Sequence, residues 1–165
     1  MSTLKLLLVD DHEGFINAAM RHLRRLDWVE LIGSAGNGIE AIAQCEALRP
    51  DVVLMDLAMP EMGGLQATRL IKAQDNPPYI VIASHFDDGE HRDHALRAGA
   101  DAFVSKLAYI HEVMPLLEAL AGAGSDGAAD AEPEAAPSMG AGMKLVTETD
   151  LHDEIGSDAA TERLA

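Results

Sequence analysis

Five polar residues stand where apolar runs stop, and their types make a chemical set. They are Asp10 and Asp11 after LLLV, Asp56 closing DVVLMD, Ser84 closing YIVIAS and Lys106 closing DAFVSK. Three carboxylates within a few ångströms repel by about 1 kcal/mol per pair at 4 Å in water, and by several times that in a protein-like dielectric. A hard divalent cation relieves that repulsion, and a few carboxylates with a carbonyl and waters are what Mg2+ accepts. Asp56 can then act as a carboxylate nucleophile toward a phosphoryl group, giving an acyl phosphate. Lys106 and the cation would hold the phosphoryl oxygens, and the Ser84 hydroxyl would bind one of them. Taken singly, each residue is ordinary. Adjacent acids are common loop chemistry, a strand-end Ser usually serves a turn, and a lone Lys is usually solvated.

The set carries chemistry only if one architecture gathers its members. Five apolar runs supply it: LKLLLV (4–9), WVELIGSA (28–35), DVVLMD (51–56), YIVIAS (79–84) and DAFVSK (101–106). Runs this short and apolar, bounded by polar residues, suit strands buried on both faces. Helical spacing lies between them in Phe15/Ile16/Met20/Leu23 and Ile39/Ile42/Ala43/Leu48, and less cleanly in Leu65/Thr68/Leu70/Ile71. DGEHRDHALRAG and AYIHEVMPLLEAL (108–120) add two more helical segments. Asn37 can N-cap the second helix and Pro50 ends it. Gly99 after Arg97 reads as a helix stop, and Pro115 predicts a kink or a late helix start. Strict β-α alternation predicts an α/β fold with a parallel sheet and helices on both faces. In such a sheet the C-terminal strand ends share one edge, so the five residues can meet.

Charge is unevenly spread. Residues 1–120 carry 18 acids and 10 bases, whereas residues 121–165 carry 10 acids and 2 bases. This balance argues against nucleic acid as a direct partner, because phosphate backbones need a basic face. It equally disfavours an anionic membrane surface. Cys45 is the only cysteine, which excludes an internal disulfide and a cysteine zinc cluster. The first apolar run is too short for a signal peptide, and no segment nears the ~20 apolar residues of a membrane helix. The chain reads as cytoplasmic.

From Gly122 the composition turns to Ala, Gly, Pro and acids, which cannot bury enough apolar area to offset ordering entropy. Residues 1–121 are therefore read as one domain and residues 122–165 as an acidic, mostly disordered tail. The alternative for residues 147–155 is a short helix that folds on a partner or back on the domain, since Thr147 and Asp150 have capping-box-like spacing.

Together LLLVDDHEGF, DVVLMDLAMPEMGGL, SHFDD and ALRAGADAFVSK resemble the receiver domain of two-component response regulators. The likeness covers about residues 4–120 and runs closest to receivers of the LuxR-type helix-turn-helix branch. It implies a flavodoxin-like (βα)5 fold and phosphotransfer to Asp56 from a histidine kinase or a histidine phosphotransfer protein. It implies Mg2+ held by Asp10, Asp11 and Asp56 with the Ala58 backbone carbonyl, Asp11 and Asp56 directly. Lys106 would pair with the phosphoryl group. Ser84 and Phe103 match the family's switch positions, the alternative for Phe103 being a plain core aromatic. Homodimers through the fourth helix, fifth strand and fifth helix, or through the first and fifth helices, would fit the same family.

The pattern departs in three places. Leu107 follows Lys106 where proline is common, so a cis peptide cannot be assumed there. His85 follows Ser84 where a small residue is usual; it would either shield the phosphoryl pocket from water or point outward. No basic, three-helix output pattern follows residue 121. Output is therefore expected through protein contacts, and the chain is expected to be a phosphoacceptor with slow self-dephosphorylation rather than an enzyme. Rival readings are a docking module that is never phosphorylated and a receiver fragment of a longer transcriptional regulator. A dehalogenase-type phosphatase fits poorly, because Leu57 and Ala58 follow Asp56 where a second acid is required. DDHEGF is a near miss for the DxHxxG of cobalamin-binding domains.

Overall fold

Successive strand residues face opposite sides of a sheet, and in LKLLLV both sides are apolar, so both must be covered. The computed structural model, which describes residues 3–123, shows how. The strands are β1 (Leu4–Val9), β2 (Val29–Ala35), β3 (Val52–Asp56), β4 (Tyr79–Ser84) and β5 (Ala102–Ser105). They alternate with α1 (Glu13–Leu23), α2 (Gly38–Leu48), α3 (Gly64–Lys72), α4 (Gly89–Arg97) and α5 (Tyr109–Ala123). Every pairing is parallel and the sheet order is β2-β1-β3-β4-β5. This is the expected flavodoxin-like, doubly wound (βα)5 fold.

Residue parity sorts the core into two layers. Leu4, Leu6, Leu8, Val52, Leu54 and Val81 pack beneath Ala19 and Leu23 of α1 and Val113 and Leu117 of α5. Leu7, Val9, Val53, Met55, Ile80 and Ile82 pack beneath Ala41 and Cys45 of α2, Ala67 and Ile71 of α3 and Ala95 of α4. Each fully buried Leu, Ile or Val contributes about 1.5–3 kcal/mol, so the sheet holds the frame from both sides.

Local chemistry ends the elements. Asn37 Oδ1 accepts the Glu40 N–H at 2.9 Å, and the Glu40 carboxylate accepts the Gly36 N–H at 2.9 Å, a reciprocal cap. α2 stops at Arg49, whose φ is 50°, because the following Pro50 disfavours a further helical residue. Gly99 (φ 102°) closes α4 as expected, its N–H bonding Leu96 O while the Ala100 N–H bonds Ala95 O.

Four expectations are revised. Ile39, Leu48 and Leu70 are substantially exposed, while Gly38, Ala41, Cys45, Ala67 and Thr68 face inward. Small residues there let α2 and α3 lie close to the sheet, so side-chain bulk misidentifies the buried stripe. Lys106 does not end β5; it opens a 3-10 turn, Lys106–Ala108. α5 does not start late, for it begins at Tyr109 and carries Pro115 inside. The proline sits on the exposed side, where water can take up the carbonyl it leaves unbonded. Finally, α5 continues through Gly122 to Ala123. The rest of the expected tail, including the expected helix at 147–155, lies outside the described residues.

Candidate functional site

β1 and β3 are neighbours, yet the chain leaves them over opposite faces, to β2 by α1 and to β4 by α3. The rim between their C-terminal ends is the point where such folds open a crevice. Asp10 follows β1 and Asp56 ends β3 there, both buried. Lys106 reaches the same point from beyond β5. Its Nζ lies 2.6 Å from Asp10 Oδ2 and 2.7 Å from Asp56 Oδ1, with the Lys106 side chain only 2% exposed. The ammonium therefore bridges two carboxylates across the rim.

The surroundings explain how an ammonium is held there. The ring of Phe15, in α1, has its centroid 4.7 Å from Lys106 Nζ, and Tyr109 meets Phe15 edge-on at 5.3 Å. The negative face of an aromatic ring attracts a cation most strongly where water is excluded. Burial raises the Asp56 carboxyl above its ordinary value; Lys106 opposes this by hydrogen bond and charge, and Asp10 adds to the rise. Asp56 is thus a partly desolvated carboxylate with one cationic partner.

Asp11 and His12 form the outer wall. The His12 N–H bonds Asp10 Oδ1 at 2.8 Å, and His12 Nδ1 lies 3.2 Å from Asp11 Oδ1. Asp10, Asp11 and His12 offer ligand atoms all within 4.8 Å of one another. Asp10 and Asp56 meet at the Lys106 ammonium and Asp11 adjoins Asp10, so three carboxylates gather at this rim, the kind of oxygen donor that suits Mg2+. Ala58 stands two residues past Asp56 in the exposed β3–α3 loop, and its carbonyl accepts no hydrogen bond among the described residues.

That loop is tied against the strand. The Gly64 N–H bonds Leu57 O at 2.9 Å, and Met62 O accepts the Gly38 N–H at 2.9 Å. A Cβ on Gly64 would overlap the Asp56 carbonyl, so the second glycine of MGGL is what lets α3 start against the site strand.

Ser84, at the end of β4, is buried and its Oγ accepts the Phe86 N–H at 3.0 Å. In this state its hydroxyl is engaged by its own loop. Phe103 is buried on the α4 side of β5, with the Arg92 guanidinium 5.0 Å from its ring centroid. Arg92 also bonds Asp87 Oδ1 at 2.8 Å and Phe103 O at 3.4 Å, tying the β4–α4 loop to β5. His85 is exposed, and so is Leu107, at 84%. No peptide bond among the described residues is cis.

Asp10, Asp56 and Lys106 therefore converge directly, Asp11 borders them, and Ser84 ends β4, which lies between the strand of Asp56 and β5, the strand that leads to Lys106. Sequence reasoning did not single out His12, Gly64 or Arg92 for the site, and it placed Phe15 only in the apolar stripe of the first helix. His12 had a signal, being contiguous with the two acids. The others depend on approach between distant segments.

A family model described as the response regulator receiver domain matches residues 6–118. The transcriptional regulatory protein YhcZ of Bacillus subtilis is 37% identical over 103 residues, covering 62% of this chain and 48% of that protein. The response regulator protein VraR of Staphylococcus aureus is 36% identical over 104 residues, covering 63% and 50%. The chain thus spans about half the length of these curated relatives. Among solved structures, the signal receiver domain of the response regulator NarL from Mycobacterium tuberculosis aligns with a TM-score of 0.69 and 27% identity. That alignment covers 74% of this chain and 98% of that one. A LuxR-family two-component response regulator from Aurantimonas aligns with the same TM-score and 30% identity, covering 74% and 87%. With the sheet order, the convergent Asp10–Lys106–Asp56 rim and the match over residues 6–118, the chain belongs to the response regulator receiver domain family.

Proposed function

We propose that residues 1–121 act as a phosphoacceptor receiver in which Asp56 takes a phosphoryl group from the phosphohistidine of a histidine kinase or a histidine phosphotransfer protein. The observation that carries this reading is the buried Lys106 ammonium held within 2.7 Å of both Asp10 and Asp56. An Asp56 oxygen forms the new O–P bond as the N–P bond of the donor breaks. The imidazole nitrogen leaves with the electron pair and takes up a proton. Lys106 lies where it can follow the charge onto the phosphoryl oxygens. Ser84, once its bond to the Phe86 N–H is released, can donate to one of them. Phe103 and Arg92 would sense that movement, because the loop and β5 are joined through Arg92.

Asp10, Asp11, Asp56 and the Ala58 carbonyl would hold Mg2+, which when bound neutralises charge on the phosphoryl oxygens. Slow loss of the phosphoryl group to water completes the cycle. Output runs through protein contacts, including a homodimer through α4, β5 and α5 or through α1 and α5. No helix among the described residues is long and apolar enough to cross a membrane.

A second reading comes from the relatives, one of which is named a transcriptional regulatory protein and is about twice the aligned length. There this receiver would control a separate output region, with the same chemistry at Asp56. Both readings meet one test. Incubation with acetyl phosphate and Mg2+ should add the mass of one phosphoryl group to the protein and none to Asp56→Asn. An adduct on both, or on neither with the fold intact, removes Asp56 as acceptor.

A further inference from the structure

His12 is the N-terminal cap residue of α1, yet its side chain caps nothing. The backbone there is extended (φ −91°, ψ 100°), and the imidazole turns back to the acids that precede it. Nδ1 lies 3.2 Å from Asp11 Oδ1 and 3.7 Å from Asp10 Oδ1. Two ligands about 2.1 Å from one cation lie about 3.0 Å apart at a right angle and about 3.4 Å apart at a tetrahedral angle. The Asp11 separation falls between those two values, and the Asp10 separation lies just beyond the larger. The ring is also accessible, with 74% of its side chain exposed, so a cation can reach it without unfolding α1.

Three features make this more than a pair of acids. The cluster holds a nitrogen donor, and the spacing of that nitrogen from Asp11 fits adjacent ligands of one ion. It also adjoins Asp10, whose other oxygen is already committed to Lys106, so Oδ1 alone is left to face His12. Asp11 has no cationic partner among the described residues other than His12. Mg2+ takes oxygen ligands, whereas imidazole suits the later divalent transition ions, whose affinities rise along Mn2+, Co2+ and Ni2+.

We infer that His12 Nδ1 is a metal ligand of the acidic site, which binds divalent transition ions through nitrogen as well as Mg2+ through oxygen. This rests on the reading of Asp10, Asp11 and Asp56 as a cation site. Its consequence is selectivity: the ratio of Co2+ to Mg2+ affinity is set by a residue outside the carboxylate set. In the neutral imidazole with its proton on Nε2, the Nδ1 lone pair is free for the ion and Asp11 supplies the adjacent oxygen.

The test uses the full chain and His12→Ser, chosen because serine is itself a good N-cap and keeps α1 in place. Mn2+ binding is counted by the loss of the free-ion spin resonance signal, and its ligands are read by pulsed spin resonance. The expected result is one Mn2+ that Mg2+ displaces and that shows coupling to a 14N nucleus. In His12→Ser the coupling disappears. Calorimetry should then show Co2+ affinity falling about tenfold or more while Mg2+ affinity changes by less than about twofold. Mn2+ displaced by Mg2+ without nitrogen coupling overturns the inference and leaves the oxygen site standing. Coupling that persists in His12→Ser overturns it too, because another imidazole would be the ligand. If neither Mn2+ nor Mg2+ binds, the inference and the cation-site reading both fall.

Discussion

The Phe15 ring stands 4.7 Å from the Lys106 ammonium, so a residue of the first helix shapes the cation that serves the acid of the third strand. Removing the aromatic face while keeping bulk isolates this contact. Phe15→Leu should slow phosphorylation of Asp56 by acetyl phosphate about fivefold, the equivalent of about 1 kcal/mol for a desolvated cation–π contact. The check is the rate of adduct formation by mass at saturating Mg2+, with the melting temperature recorded beside it. A rate equal to wild type would refute a role for the ring.

Lys106 is the only cation within reach of two buried carboxylates among the described residues. Lys106→Met leaves Asp10 and Asp56 without it, and stripping one partner from a buried ionic group costs about 3 kcal/mol or more. Urea unfolding at neutral pH should show that loss. Asp56→Asn combined with Lys106→Met should recover part of it, since one of the stranded charges is gone.

Asp56 itself opposes folding at neutral pH. Its carboxyl titrates above the ordinary value of 3.8 in the folded chain, chiefly through burial. The folded state therefore holds its proton more tightly than the unfolded state does. Stability falls as pH rises from the unfolded value through the folded one, and the cost is fully present above it. Asp56→Asn should raise the melting temperature at pH 7, each 1 kcal/mol relieved being worth about 3–5 °C in a domain this size. The advantage should vanish below about pH 3.8. Melting curves across that range decide it, and equal stability at pH 7 would refute the cost.

Gly64 tests the packing that seats the site strand. Because an added Cβ would meet the Asp56 backbone rather than a flexible side chain, nothing can give way cheaply. Gly64→Ala should cost about 3 kcal/mol in urea unfolding. Gly14→Ala, where a Cβ meets nothing within 4 Å, should cost nothing and serves as its control.

Arg92 joins the loop after Ser84 to β5 through Asp87 and Phe103. The contacts are partly exposed, so Arg92→Ala should lower stability by no more than about 1 kcal/mol. Hydrogen exchange at Phe86, Asp87 and Asp88 should quicken well beyond that global change, because the loop loses its tie.

The strands, their alternation with helices and the caps at Asn37 and Gly99 were legible in the chain because each rests on neighbours in sequence: side-chain parity, a capping oxygen, a residue free to take positive φ. The positions of Asp10, Asp11, Asp56 and Ser84 followed from the same logic, since a parallel sheet sends every C-terminal strand end to one rim. Other features were not legible there. Local periodicity does not encode that Ala41 and Cys45 are buried in the core while Ile39 and Leu48 stay substantially exposed. Nor does it encode that Phe15 meets Lys106, or that Gly64 touches the Asp56 carbonyl. Those depend on how closely separate segments approach once both layers are packed. That distance is set by the volumes of all the side chains between them, which no window of neighbouring residues contains.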